Sequence, residues 1–260
     1  MSGISADCCK PAPPAVDNAS GKEEVFAGLP SYVTGSPSSS AAVLFVPDVF
    51  GKSNPESWKL ADKVAAAGYF VVVPDILRGD PLVLQAGPNP RAGVPAWVAK
   101  HPPSEGVPDV KKVAEELQSK GKSSLGFAGF CWGGKLILET GKDHTFKAIV
   151  QLHPSMVEPS DYEEVKVPIS VLAAPVDHAE IAESILSGRK DIESFVKIFP
   201  NAPHGWTIRY DENNLQEVAP AEEAHNDMLN WLSKFLPVTT NCPVSKEAAA
   251  TAVEGQPELL

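Results

Sequence analysis

The chain has 260 residues, 43% of them hydrophobic, and a formal net charge of −11. That is long enough to bury a core without staples and too apolar for wholesale disorder. The acidic balance argues against nucleic acid and anionic membrane surfaces as partners, and no stretch nears the ~20 apolar residues of a membrane-spanning helix.

Residues 1–20, rich in Ser, Ala, Pro and Asp, read as a flexible arm. Met1 to Lys10 lacks the basic and apolar regions of a secretory signal. Cys8, Cys9, Cys131 and Cys242 make no disulfide framework, so a reducing cytoplasmic setting is expected. Cys8-Cys9 reads as two exposed thiols or as a metal or redox site without zinc-finger spacing. Residues 24–34 alternate weakly, as edge strands do. Ala41 to Val46 is continuously apolar, the mark of a strand covered on both faces. Asn54-Pro55 starts a helix, with Asn as cap and Pro at the first helical position, and Gly68 closes it. Tyr69 to Val73 is a second buried strand, completing a strand–helix–strand unit.

Residues 79–108 are a Pro- and Gly-rich excursion, either a lid over a site or a tolerated insertion. Asp109 to Lys120 is an amphipathic helix stopped by Gly121. Leu125 to Ala128 is apolar and runs into Gly129-Phe130-Cys131-Trp132-Gly133-Gly134-Lys135, and a helix-like stretch follows. Buried strands are then predicted at Phe146 to Leu152, Val167 to Ala174 and Glu193 to Phe199. Helices are predicted over about Ala179 to Ser187 and Leu215 to Phe235. Residues 238–260 read as a disordered tail, leaving one domain over 21–237.

Gly-x-Cys-x-Gly between strand and helix reads as a nucleophile elbow, in which a strained residue is presented at the helix N-terminus. Alone, it could equally be a buried structural cysteine. Asp177 and His204 also lie just past the ends of predicted parallel strands, the edge where open α/β sheets carry their chemistry. The order nucleophile, acid, histidine is that of the α/β-hydrolase fold, a mostly parallel sheet with helices on both faces. Each role has a physical need. A thiolate attacks, an imidazole with an ordinary pKa of ~6.5 moves the proton, and a carboxylate fixes its tautomer. The two oxyanion donors are expected to be the amides of Trp132 and Val49. Singly, His204 could be a loop histidine and Asp177 a solvated carboxylate. His178 rivals His204. His153 reads as a pocket or structural histidine, and His101, His144 and His225 read as surface. No metal-ligand or dinucleotide motif is present, so no cofactor is expected.

The sequence resembles the dienelactone hydrolase family, through Pro47-Asp48-Val49-Phe50-Gly51, Ala67 to Asp75, Gly126 to Gly134 and Pro203-His204-Gly205-Trp206. The elbow cysteine is its most specific mark. The arm with Cys8-Cys9 and Val73-Pro74-Asp75-Ile76-Leu77 further resemble the fungal cytosolic branch. The resemblance implies a Cys131–His204–Asp177 triad that opens an enol-lactone bearing a carboxylate through a thioester. It implies that Asp48 stands where bacterial members have a glutamate paired with the cysteine. It also implies substrate-carboxylate binding by Arg78 and by Arg209, the latter offset by one residue, with Gly205 where those members have a serine. As plain residues, both arginines could be surface cations. The expected partner is a small-molecule ester or lactone, with the protein a monomer or homodimer. The alternatives are a catalytically weak ligand-binding protein and a redox sensor built on Cys131.

Overall fold

In the computed structural model, which describes residues 20–86 and 88–238, Ala41–Val46 forms β3, with every side chain buried. Ala42, Leu44 and Val46 join one apolar cluster, while Ala41, Val43 and Phe45 join a second. A strand with a core on each side needs apolar residues at every position, which explains the unbroken run. β4 (Phe70–Pro74), β6 (Ala148–Leu152) and β7 (Ile169–Ala173) share the pattern, as does β5 (Ser124–Phe130) beyond its first residue.

β1 (Lys22–Phe26), β2 (Leu29–Thr34) and β8 (Ser194–Ile198) complete a single eight-stranded sheet in the order β1-β2-β4-β3-β5-β6-β7-β8. β1 and β2 form an antiparallel hairpin, and β2 is antiparallel to β4. Every later pairing is parallel. The hairpin turns through Ala27 and Gly28, both at positive φ, the twist a two-residue turn requires. The edge strands expected at 24–34 are this hairpin, of which only β1 lies at the edge, since β2 pairs on both sides.

The helices in chain order are α1 (Pro55–Ala66), α2 (Val94–Lys100), α3 (Val107–Ser119), α4 (Trp132–Thr140), α5 (Pro159–Glu164), α6 (Ala179–Leu186) and α7 (Leu215–Phe235). The buried faces of α1 and α7 pack on one side of the sheet, and those of α3, α4, α5 and α6 on the other. The architecture is therefore the expected mostly parallel α/β sheet with helices on both faces. Asn54 caps α1, its side chain accepting the Glu56 N–H, with Pro55 leading the helix. α2, the short turn of 3₁₀ helix at Pro103–Gly106, and α5 were not foreseen. Each is too short to give a helical periodicity in the sequence.

Among the described residues no helix is long and apolar enough to cross a membrane. The arm with Cys8 and Cys9 and the tail with Cys242 lie outside the described residues, apart from Ser20 and Val238 at their inner ends. The parallel strands all end at one edge of the sheet. Asp48, Cys131, His153, Asp177 and His204 follow β3, β5, β6, β7 and β8 there.

Candidate active site

Cys131 sits between the end of β5 and the first residue of α4, with φ 52° and ψ −110°. For a residue with a Cβ this backbone is strained by about 1–3 kcal/mol. Hydrogen bonds on both sides hold it. The Cys131 N–H donates to the Leu152 carbonyl at 3.1 Å, and its own carbonyl accepts the N–H groups of Gly134 (2.9 Å) and Ser155 (3.2 Å). The glycines around it are steric necessities. A Cβ on Gly129 would stand 2.3 Å from the Gly133 oxygen, and one on Gly133 2.3 Å from the Val46 oxygen. The thiol is fully buried, 3.6 Å from the Ser155 hydroxyl.

Asp177 closes a short 3₁₀ turn after β7 (Pro175–Asp177). One carboxylate oxygen accepts the Ala174 N–H at 2.6 Å, and the other accepts the His204 Nδ1–H at 2.5 Å. Both side chains are sealed from solvent. Burial alone would lower the proton affinity of His204. The charge on Cys131 and hydrogen bonding to Asp177 and to Cys131 overcome it and push the His204 pKa up to about 9. The three residues are thus brought together as one chain of interacting groups. Val49 and Trp132 flank the elbow, both buried.

His178 does not compete with His204. It is exposed at the start of α6 in the left-handed conformation and meets Glu180 at 3.1 Å. His153 is buried at φ 40°, its Nε2 2.9 Å from the Thr207 hydroxyl and its ring 5.1 Å from that of His204, edge to face. Burial, and then the neighbouring charges of His204 and Arg209, hold His153 well below its usual pKa, so it stays neutral. His225, expected at the surface, is buried on α7, where its Nε2 lies 2.8 Å from the Thr207 carbonyl and burial pushes its pKa down to about 4. His101, also expected at the surface, is half-buried, with Nε2 3.1 Å from Asp80.

Asp48 follows β3 and accepts the Phe50 N–H at 2.9 Å, which turns the loop that carries Val49. Its other oxygen lies 3.1 Å from Nη1 of Arg209, and neither side chain reaches solvent. Burial raises the Asp48 carboxyl above its usual range; Arg209 opposes the rise and the charge on Cys131 adds to it. Arg78, at φ 54°, donates through Nε and Nη2 to Asp109 at 3.1 and 2.7 Å. Both arginines that the resemblance offered for substrate binding have carboxylate partners inside the protein.

The excursion at 79–108 is tied to the two residues that flank the elbow. Leu82 N–H donates to the Val49 carbonyl at 2.8 Å, Trp97 Nε1–H to the Asp80 carbonyl at 3.0 Å, and Trp132 Nε1–H to the His101 carbonyl at 2.8 Å. It borders an open cavity of about 370 Å³ lined by residues that include Leu77, Arg78, Asp80, His101 and Trp132. Ser155, Leu82 and Trp97 were not singled out from the sequence. Ser155 carries no motif, and the ties of Leu82 and Trp97 form only in the folded chain. No cluster of residues suited to a metal ion occurs among the described residues.

The family model described as the dienelactone hydrolase family matches residues 29–236. The chain belongs to the dienelactone hydrolase family. That membership makes it, by class, a carboxylic ester or lactone hydrolase. Among family-level relatives, an endo-1,3;1,4-beta-D-glucanase of Zea mays is 43% identical over 150 residues, 58% of this chain and 47% of that one. The chain therefore spans about half the length of that relative. Hydrolase pyvD of Aspergillus violaceofuscus is 28% identical over 220 residues, covering 81% of this chain and 89% of that one. The crystal structure of dienelactone hydrolase from Anabaena variabilis superposes with a TM-score of 0.63 at 16% identity, over 83% of this chain and 98% of that one. At that identity the superposition speaks for the fold.

Proposed function

We propose that this dienelactone hydrolase family member cleaves a lactone or ester through a thioester on Cys131. The observation that carries the reading is the 2.5 Å contact between His204 Nδ1 and Asp177, on an imidazole whose pKa is raised by Cys131 itself. His204 takes the thiol proton through Nε2, and Cys131 attacks as the thiolate. The thiolate attacks the acyl carbon, and the carbonyl electrons move to an oxygen facing the amides of Val49 and Trp132. Collapse of this oxyanion breaks the bond to the leaving oxygen, which takes the proton from His204 Nε2. Water then adds to the thioester as His204 accepts its proton. The second collapse releases the acid and restores the thiolate, and His204 keeps the proton. Asp177 holds Nδ1–H throughout, which leaves Nε2 for the reacting groups.

The name of the maize relative points to glucan hydrolysis. That chemistry needs two carboxyl groups about 5–9.5 Å apart across a sugar linkage, free to act as acid and base or nucleophile. Here Asp177 is held by His204 and Asp48 by Arg209, so we do not carry the glucanase reading over. A reactive thiol kept out of any disulfide fits a reducing, cytoplasmic setting.

The test is steady-state hydrolysis of p-nitrophenyl acetate and of a dienelactone. Cys131→Ala and His204→Ala are expected to abolish turnover while circular dichroism and melting stay those of a folded protein. Turnover retained by folded Cys131→Ala would overturn the reading.

A further inference from the structure

Ser155 touches the elbow residue twice. Its N–H donates to the Cys131 carbonyl at 3.2 Å, and its hydroxyl lies 3.6 Å from Cys131 Sγ, a hydrogen-bonding separation for the larger sulfur atom. Among the described residues that hydroxyl has no other hydrogen-bond partner, and the residue is buried. The turn that carries it is fixed to the elbow. His153 at φ 40° and Met156 at φ 57° bend the chain on either side of Pro154-Ser155. The Cys131 N–H donates to the Leu152 carbonyl at 3.1 Å, and Gln151 Nε2–H donates to the Gly134 carbonyl at 2.6 Å. A Cβ on Gly134 would stand 3.0 Å from Pro154 Cα, so the turn lies tight against the start of α4. The hydroxyl is in place before any substrate arrives.

A thiolate at Cys131 is a buried charge. Asp48, after β3, opposes it, since the charge on Cys131 raises the Asp48 carboxyl, and Arg209 stands 3.1 Å from that carboxylate. His204, after β8, favours it, and His153, after β6, is neutral. A sulfur without its proton can only accept, so a hydroxyl bonded to it has to donate, and such a bond is stronger to a charged acceptor than to a neutral one.

We infer that Ser155 is a further catalytic residue, its hydroxyl donating a hydrogen bond to Cys131 Sγ whenever that sulfur carries the negative charge. It does so twice in the cycle. The first time is before Sγ attacks the acyl carbon. The second is when the C–S bond of the thioester breaks and its electron pair returns to Sγ. Ser155 keeps its proton throughout and forms no covalent bond, and His204 moves the protons. The inference rests on the hydrolase reading above and adds a side chain to its machinery.

The test follows the ultraviolet absorbance of the Cys131 thiolate across pH. It is taken as the difference between proteins with and without Cys131, so that Cys8, Cys9 and Cys242 cancel. Ser155→Ala keeps the backbone bond to Cys131 and removes only the hydroxyl. It is expected to raise the titration midpoint by about one pH unit, the low end of what a hydrogen bond to a charged group supplies. Below both midpoints the thiolate fraction then falls about tenfold while the more basic thiolate attacks about threefold faster, so kcat/KM on p-nitrophenyl acetate should fall about threefold. Ser155→Thr and Ser155→Val make a second pair of nearly equal shape, in which Ser155→Thr is expected to hold the lower midpoint by about half a pH unit or more. A midpoint that does not move in folded Ser155→Ala would overturn the inference. Should that variant not fold, equal midpoints in folded Ser155→Thr and Ser155→Val overturn it, and so does a shifted midpoint with kcat/KM unchanged. A shifted midpoint in a protein that turns over neither p-nitrophenyl acetate nor a dienelactone sinks the hydrolase reading alone, and the bond from Ser155 to the thiolate stands.

Discussion

Asp177→Asn puts the triad geometry to its sharpest test, because the two carboxylate oxygens do different things. One accepts the Ala174 N–H at 2.6 Å and the other accepts His204 Nδ1–H at 2.5 Å. An asparagine has one acceptor oxygen and one NH₂ donor. If its oxygen keeps His204, its NH₂ is driven against the Ala174 N–H. If its oxygen keeps Ala174, the NH₂ faces Nδ1, which must then give up its proton. The second arrangement relieves the clash and moves the imidazole proton to Nε2, the atom that has to accept from Cys131. The lost charge-assisted hydrogen bond alone amounts to about 1.5–3 kcal/mol. Loss of the correct tautomer can bring the drop to roughly 10⁴-fold where a triad depends on it. The expected fall in kcat/KM is therefore roughly 10²- to 10⁴-fold, equivalent to about 3–5.5 kcal/mol at about 1.4 kcal/mol per decade. The assay is p-nitrophenyl acetate hydrolysis across pH, with circular dichroism to confirm folding. A folded Asp177→Asn variant within about threefold of wild type would refute the tautomer argument.

Four further outcomes follow from the same geometry. In Cys131→Ala, His204 loses the largest influence that raises its pKa, so its imidazole should titrate below the wild-type value of about 9 by NMR; an unchanged value would show that the thiol does not act on it. The wild-type His204 proton is held above its unfolded pKa of ~6.5, so the stability it contributes is complete below that pH and is lost as pH rises through about 9; a melting temperature that gains from this group over that interval, relative to His204→Gln, would contradict the sign. Gly133→Ala drives a methyl to 2.3 Å from the Val46 oxygen and 2.9 Å from that of Pro47, and should lower stability by about 1–3 kcal/mol, read as denaturant midpoint. Trp132→Phe keeps a ring but removes the N–H bonded to the His101 carbonyl, and should lower kcat by about two- to tenfold, in line with a hydrogen bond of about 0.5–1.5 kcal/mol, with the fold intact.

The central strands were readable because burial on both faces leaves a simple trace, as in β3 and β7, and the caps at Asn54-Pro55 and Gly68 mark α1 for a local chemical reason. Cys131, Asp177 and His204 were readable as positions, since each follows a strand end. The state of Arg78 and Arg209 was not. Whether a guanidinium faces a ligand or a neighbour depends on which carboxylate the fold brings near it, and Asp48 and Asp109 lie far from them in sequence. His225 misled because a single histidine on an amphipathic helix gives no sign that a carbonyl from a distant loop, Thr207, awaits it. The short helices α2 and α5 escaped because six or seven residues cannot display a period.

The excursion at 79–108 has a consequence for anyone who would redesign what this protein accepts. It is one wall of the cavity, and it is also bonded to the two residues whose amides we assign to the oxyanion, through Leu82 to Val49 and through His101 to Trp132. Replacing it with a segment of different shape would change the room available to a substrate and loosen both bonds in the same step. Loop grafting here trades turnover against scope, whereas substitutions at wall positions that make neither bond, such as Pro102 or Glu105, leave the two separable.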